Sequence, residues 1–146
     1  MNEETGAGLK FEDLAVGQHA QSENAVSEAV IAAFADVSGD YNPVHLDEAF
    51  AAATPFKGRI AHGMLSAAYI SALIGTRLPG PGAIYVSQTL NFRRPVRIGA
   101  QVLTRVEITA LDPEKARAAI ATTCSVDGKI VLEGEAIVLV PRRAAP

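Results

Sequence analysis

The chain has a single cysteine, Cys124, and that scarcity removes two function classes at once. One thiol builds neither a disulfide framework nor a cysteine metal site. A surplus of charge is missing too. The formal net charge is −3, and the 13 Lys and Arg residues are scattered along the chain. Without a basic stripe there is no electrostatic footprint for nucleic acid. Long apolar runs are also absent. The longest, Met64 to Ile74, is too short and too interrupted to span a bilayer, so no membrane partner is expected. The opening MNEETGAGLK is acidic and polar where a signal peptide would be basic and then apolar, which makes a cytoplasmic protein the expectation. No repeat, linker or low-complexity segment divides the 146 residues. With apolar residues at 49%, the chain has enough to build one real core. A single domain is expected over residues 10–141, with residues 1–9 and 142–146 as flexible ends.

Polar chemistry is concentrated in one place. From Ser38 to Ser71 the chain reads SGDYNPVHLDEAFAAATPFKGRIAHGMLSAAYIS. An acid, an amide, a proline and a histidine fall within Asp40-Tyr41-Asn42-Pro43-Val44-His45, shortly before a very apolar segment. That pattern points to an active site built against a buried helix.

The flanking elements can be read from spacing. Ser27 is a plausible N-cap, and Val30, Phe34 and Val37 recur at helical spacing up to Ser38-Gly39. Pro43 biases Asn42 away from the helical region, so Asp40 to His45 should be a structured turn. Such a turn can aim both side chains at one point, although they do not share a helical face. Asp47 to Ala53 reads as a short helix. Gly63 to Leu78 is the main helix, stopped by Pro79-Gly80 and apolar nearly all round, which predicts burial on nearly every side. His19 to Asn24 reads as a short strand. Ile84 to Phe92 alternates as a half-buried strand, followed by strands over Val102 to Leu111, Ala116 to Val126 and Lys129 to Val140. Asp127-Gly128 is a strong hairpin signal, and Gly134 a candidate bulge. The class is therefore α+β, with an antiparallel meander after the helices.

Taken together, Ser38 to His45, Ile60-Ala61-His62-Gly63-Met64 and Asn91-Phe92-Arg93-Arg94-Pro95-Val96 resemble the motifs of the MaoC-like (R)-specific enoyl-CoA hydratases. The resemblance covers roughly Phe11 to Val140. It implies a single hot-dog domain, with a long buried central helix wrapped by a curved antiparallel sheet. It also implies a homodimer with acyl-CoA thioester sites at the interface, and no cofactor beyond the CoA carried by the substrate. The family's catalytic acid and histidine fall on Asp40 and His45, its oxyanion-holding backbone N–H on Gly63, and supporting polar groups on Ser71 and Asn42. Gly99-Ala100 departs from the Gly-Asp common in that family, a difference confined to a loop.

The residues support that chemistry independently. Adding water to an enoyl thioester needs a base for the water and a proton for the α carbon. A carboxylate and an imidazole sharing one water can supply both. A glycine opening a buried helix offers an unobstructed N–H and the positive end of the dipole to a developing oxyanion.

Blander readings stand beside these. Asp40 alone is an ordinary turn former, and His45 alone can be a packed histidine. His62 reads as loop-orienting rather than catalytic. Asp47 and Glu48 favour a helix start. A metal site from Asp40, His45, Asp47 and His62 lacks helical or paired ligand spacing, so no metal is expected. Arg93, Arg94 and Arg97 can meet CoA phosphates or be a solvated strand end. Leu65, with Tyr69 and Leu73, reads as core that can double as an acyl wall. The rival functions are a hot-dog thioesterase and a non-catalytic acyl-CoA-binding module.

Overall fold

A computed structural model describes residues 8–144; of the flexible ends expected at residues 1–9 and 142–146, residues 1–7 and 145–146 lie outside the described residues. Strand β1 (His19–Ala25) leads into α1 (Glu28–Ser38), the one-turn α2 (Pro43–Leu46), α3 (Glu48–Ala52) and the long α4 (Gly63–Thr76). Strands β2 (Ile84–Gln88), β3 (Asn91–Phe92), β4 (Gln101–Asp112), β5 (Arg117–Val126) and β6 (Lys129–Leu139) follow. At the chain's margins, Leu9 donates its N–H to the Pro79 carbonyl at 2.9 Å, and Arg143 pairs with Asp13.

The local signals behave as their chemistry requires. Ser27 caps α1 by accepting the N–H of Val30 at 3.2 Å, a contact type worth about 1 kcal/mol. Gly39 closes the same helix at φ 77°, donating its N–H to Ala35. The stripe of α1 that is fully buried is Ile31 and Ala35. Val30 and Phe34 flank it, and Val37 is exposed. Asp127 and Gly128 both take positive φ (51° and 79°), the conformation of the two-residue turn whose twist matches its flanking strands.

All strand pairs are antiparallel, and the sheet order is β1-β4-β5-β6-β2, with β3 also on β6. Here the topology departs from a simple sequential meander. The stretch from Ile84 to Phe92 crosses the sheet to pair with β6, and β1 takes the place beside β4. That stretch is also broken in two at Thr89–Leu90, and most of its residues are exposed. Gly134 is not the site of a bulge. The β5–β6 irregularity falls between Cys124 and Ser125, whereas a Cβ at residue 134 would lie 1.8 Å from the Thr89 carbonyl oxygen. Glycine is required there because another backbone passes against it.

The core lies between the sheet and α4. Over residues 101–108 of β4 and 117–124 of β5 burial alternates strictly, turning Val102, Val106, Ile108, Ala118, Ile120 and Cys124 inward. Leu65, Ile70, Leu73 and Ile74 of α4 meet them. Each such aliphatic side chain contributes about 1.5–3 kcal/mol by leaving water. Two threonines are buried in that face, and both find partners: Thr122 accepts from Gln88 Nε2 at 3.0 Å, and Thr104 sits 3.6 Å from the Cys124 sulfur. Burial of α4 is one-sided in the single chain. Met64, Ala68, Ser71, Ala72 and Gly75 face outward, because the sheet reaches only one flank of the helix.

Candidate active site

The polar turn is built from side chains that bond to backbone. Ser38 Oγ donates to the Phe34 carbonyl and accepts the N–H of Asp40. Asp40 Oδ1 accepts the N–H of Asn42 at 3.2 Å. Asn42 then caps α2, accepting the N–H of Val44 at 3.1 Å, and Pro43 occupies the first helical position, where its missing donor costs nothing. The expected turn thus contains a helical turn, which carries His45 inward to 8% exposure while Asp40 stays exposed.

His45 Nδ1 lies 2.8 Å from the Ile60 carbonyl oxygen. A carbonyl only accepts, so Nδ1 carries a proton, and in the neutral imidazole the lone pair is then on Nε2, as a general base requires. His62 Nε2 donates in the same way to the Asp40 carbonyl at 3.0 Å. Its ring is stacked on His45, with centroids 3.9 Å apart and planes at 29°, and Phe34 packs on it with centroids 5.0 Å apart. His62 is buried, and its Nδ1 has no partner among the described residues. The loop-orienting reading of His62 therefore has a concrete form: it ties the backbone of Asp40 to the ring of His45.

Asp40, His45 and His62 each place a ligand atom within 4.8 Å of the others. The stacked His45 and His62 rings hold their in-plane lone pairs side by side, a poor arrangement for convergent coordination of one ion.

Arg59 also grips the turn. Its side chain is 13% exposed. Nε donates to the His45 carbonyl at 2.8 Å, and the two terminal nitrogens fork onto Glu28 at 2.8 and 3.0 Å. Those hydrogen bonds hold the Glu28 carboxyl below its ordinary range.

Beside His45 opens a cavity of about 310 Å³. Gly63, the first residue of α4, lines it together with Ser66, Phe92, Val131 and Leu132, and Arg93 and Arg94 stand on its wall. The first N–H groups of a helix have no intrahelical partner and carry the positive end of its dipole. A Cβ at residue 63 would lie 2.7 Å from the Phe92 ring, so only glycine lets that ring rest on the helix start. Arg93 pairs with Glu133 at 2.6 Å, and Arg94 donates to the Ile130 carbonyl at 2.6 Å. Arg97 donates to the Gly58 carbonyl at 3.3 Å.

The structure groups Asp40 and His45 with His62, the N-cap of α4, and sets His45 and Gly63 on one cavity, whose lining includes neither Asp40 nor Asn42. Ser71 sits two turns further along the helix on its outward flank, and Leu65 packs into the core; neither lines the cavity of the single chain. Sequence reasoning missed Ser66, Phe56, Val131 and Leu132 as cavity wall, and it missed Arg59. Ser66 follows Gly63 by three residues, a helical spacing that could have signalled a shared face.

A family model described as MaoC like domain matches residues 13–130. The chain belongs to the MaoC-like family. This MaoC-like chain is 56% identical over 135 residues to a protein of Methylorubrum extorquens named 3-hydroxybutyryl-CoA dehydratase, covering 92% of this chain and 86% of that protein. It is 56% identical over 133 residues to the (R)-specific enoyl-CoA hydratase of Rhodospirillum rubrum, covering 91% and 92%. Among solved structures, an R-hydratase from Pseudomonas aeruginosa superposes with a TM-score of 0.87 at 48% identity, covering 93% of this chain and 88% of that one. The fold of this MaoC-like chain is the hot-dog fold, α+β, with one central helix against a six-stranded antiparallel sheet. No helix among the described residues is long and apolar enough to cross a membrane.

Proposed function

We propose that the chain is a hydro-lyase that reversibly adds water to trans-2-enoyl-CoA thioesters, giving (R)-3-hydroxyacyl-CoA. The observation that carries this is the grouping of the Asp40 carboxylate with the His45 ring, whose Nδ1 is held by Ile60, together with the cavity that His45 shares with the Gly63 helix start. Relatives named for that reaction at 56% identity, over almost the whole chain, give the chemistry its substrate class.

In this reading a water sits between Asp40 and His45. One group takes a proton from it as its oxygen adds to C3, and the proton returned to C2 comes from the same face, so the addition is syn. Charge gathering on the thioester oxygen is met by the N–H of Gly63, the positive end of α4. Asn42 supports the turn by capping α2, and Ser71 and Leu65 support the helix wall. Arg93 and Arg94 face the CoA phosphates, where a guanidinium fork suits the geometry. No cofactor takes part.

The working unit is a homodimer in the cytoplasm. Its support is two exposed apolar surfaces that a second copy would cover, the outward flank of α4 and the edge residues Ile84, Tyr85 and Val86 of β2. Sedimentation at micromolar concentration should give two chains per particle, and a fully active monomer overturns that assembly. The activity itself is tested with crotonyl-CoA and longer enoyl-CoAs. Conjugated enoyl absorbance should fall, and an (R)-specific 3-hydroxyacyl-CoA dehydrogenase should oxidise the product while an (S)-specific one does not. Release of free thiol without hydration would assign a thioesterase instead, and tight binding without turnover a binding module.

A further inference from the structure

We infer that Arg59 is a positioning residue for His45 and that Glu28, at the start of α1, holds Arg59 to that task. The inference rests on the reading of His45 as a proton-transfer group. A guanidinium that is mostly removed from water needs its donors matched. Here all three of its nitrogens are engaged: Nε on the His45 carbonyl, and both terminal nitrogens on the Glu28 carboxylate. The fork-on-fork geometry fixes the guanidinium in one plane, which a single ammonium cannot do.

The carbonyl that Arg59 takes is one that the fold leaves open. Helix α2 is a single turn, so its last carbonyls have no helical partner. Ile60, the next residue along, accepts the proton of His45 Nδ1 and donates its own N–H to the Val44 carbonyl at 3.3 Å. Two adjacent residues thus hold His45 by its main chain and by its ring. Those two bonds determine where Nε2 points. Nothing in the proton-transfer chemistry uses the Arg59 charge, and Arg59 is not among the residues lining the cavity. Its effect is exerted through His45.

A displacement of about 1 Å at a reacting group can cost on the order of 10²-fold in rate. Arg59→Lys, which keeps the charge but loses the fork and Nε, should lower kcat by roughly 10- to 100-fold with KM for crotonyl-CoA within about threefold. Glu28→Ala removes an exposed carboxylate and leaves Arg59 tethered at one end, so kcat should fall by about 3- to 10-fold. The double variant should be no worse than Arg59→Lys alone, because Glu28 acts through Arg59. The accompanying readout is the imidazole Hδ1 resonance of His45, which the bond to Ile60 makes visible and which should shift in Arg59→Lys.

The proposal is overturned if folded Arg59→Lys keeps its kcat, if only KM changes, or if the His45 resonance stays in place while kcat falls. Multiplying losses in the double variant also overturn the coupling to Glu28. Should Arg59→Lys fail to fold, Glu28→Ala decides: lowered kcat with preserved KM supports the proposal, and unchanged kcat overturns it. His45→Gln, run alongside, separates the two levels. If His45→Gln keeps a near-normal rate, the proton-transfer reading itself falls. If His45→Gln is inactive while Arg59→Lys is unaffected, only the positioning role falls.

Discussion

The meander β4–β6 and the polar segment from Ser38 to His62 are held by different forces. In the meander, side chains of β4 and β5 alternate between core and surface over most of their length, backbone pairs with backbone, and the stabilisation is burial of Val, Ile, Leu and Ala. In the polar segment side chains bond to backbone at nearly every step: Ser38 to Asp40, Asn42 to Val44, His45 to Ile60, Arg59 to His45 and His62 to Asp40. One region is stabilised mainly by burial, and the other spends its hydrogen bonds on aiming a few atoms. Stability and activity should therefore separate on mutation.

The largest expected effect is on rate. Asp40→Asn and His45→Gln should each lower turnover by about 10²–10⁴-fold, the scale of lost general acid–base catalysis, while thermal unfolding stays close to that of the parent. The double variant should be little worse than the poorer single one, since both groups serve one water. Near-normal rate in either folded single variant would sink the assignment.

The converse change is in the meander. Ile120 is fully buried at the centre of β5, and Ile120→Ala should cost about 2–5 kcal/mol of stability by denaturant titration. Rate per folded molecule should hold. A large rate loss with stability intact would erase the contrast between the two regions.

A smaller effect sharpens the comparison through pH. Burial pushes the Cys124 thiol above its ordinary value of 9.0. The folded state therefore keeps the proton after the unfolded chain has released it. That contribution is complete below pH 9 and is lost as pH rises from there through the folded value. The decline of the melting temperature above pH 9 should be shallower in Cys124→Ala than in the parent, even if its starting value is lower.

What could be read from the residues follows the same division. The strands of the meander, the Ser27 cap and the Asp127-Gly128 turn are local patterns, and local patterns carry over directly into structure. That Asp40 and His45 would meet was legible because their motif is short and resembles that of a known family. Strand order was not, because nothing in Ile84 to Phe92 says which neighbour it will pair with. The outward flank of α4 misled for a related reason: Ala68 and Ala72 belong to a helix that reads as buried on nearly every side, yet they stay exposed among the described residues. Arg59 was invisible because an arginine beside Gly58 reads as surface charge until Glu28, 31 residues earlier, is seen against it.

The two margins of the sheet differ in a way that limits growth. The margin at β2 carries Ile84, Tyr85 and Val86, while the opposite margin at β1 reads HAQSENA, with Gln21 and Glu23 exposed and no large aliphatic side chain. A copy that docks β2 against β2 makes a self-complementary contact and consumes the sticky margin of both molecules. The polar margins left at the two outer ends, each bearing an acidic side chain, give a third copy no apolar surface to join. In the proposed dimer that asymmetry would act as a terminator, permitting one addition and discouraging a fibre.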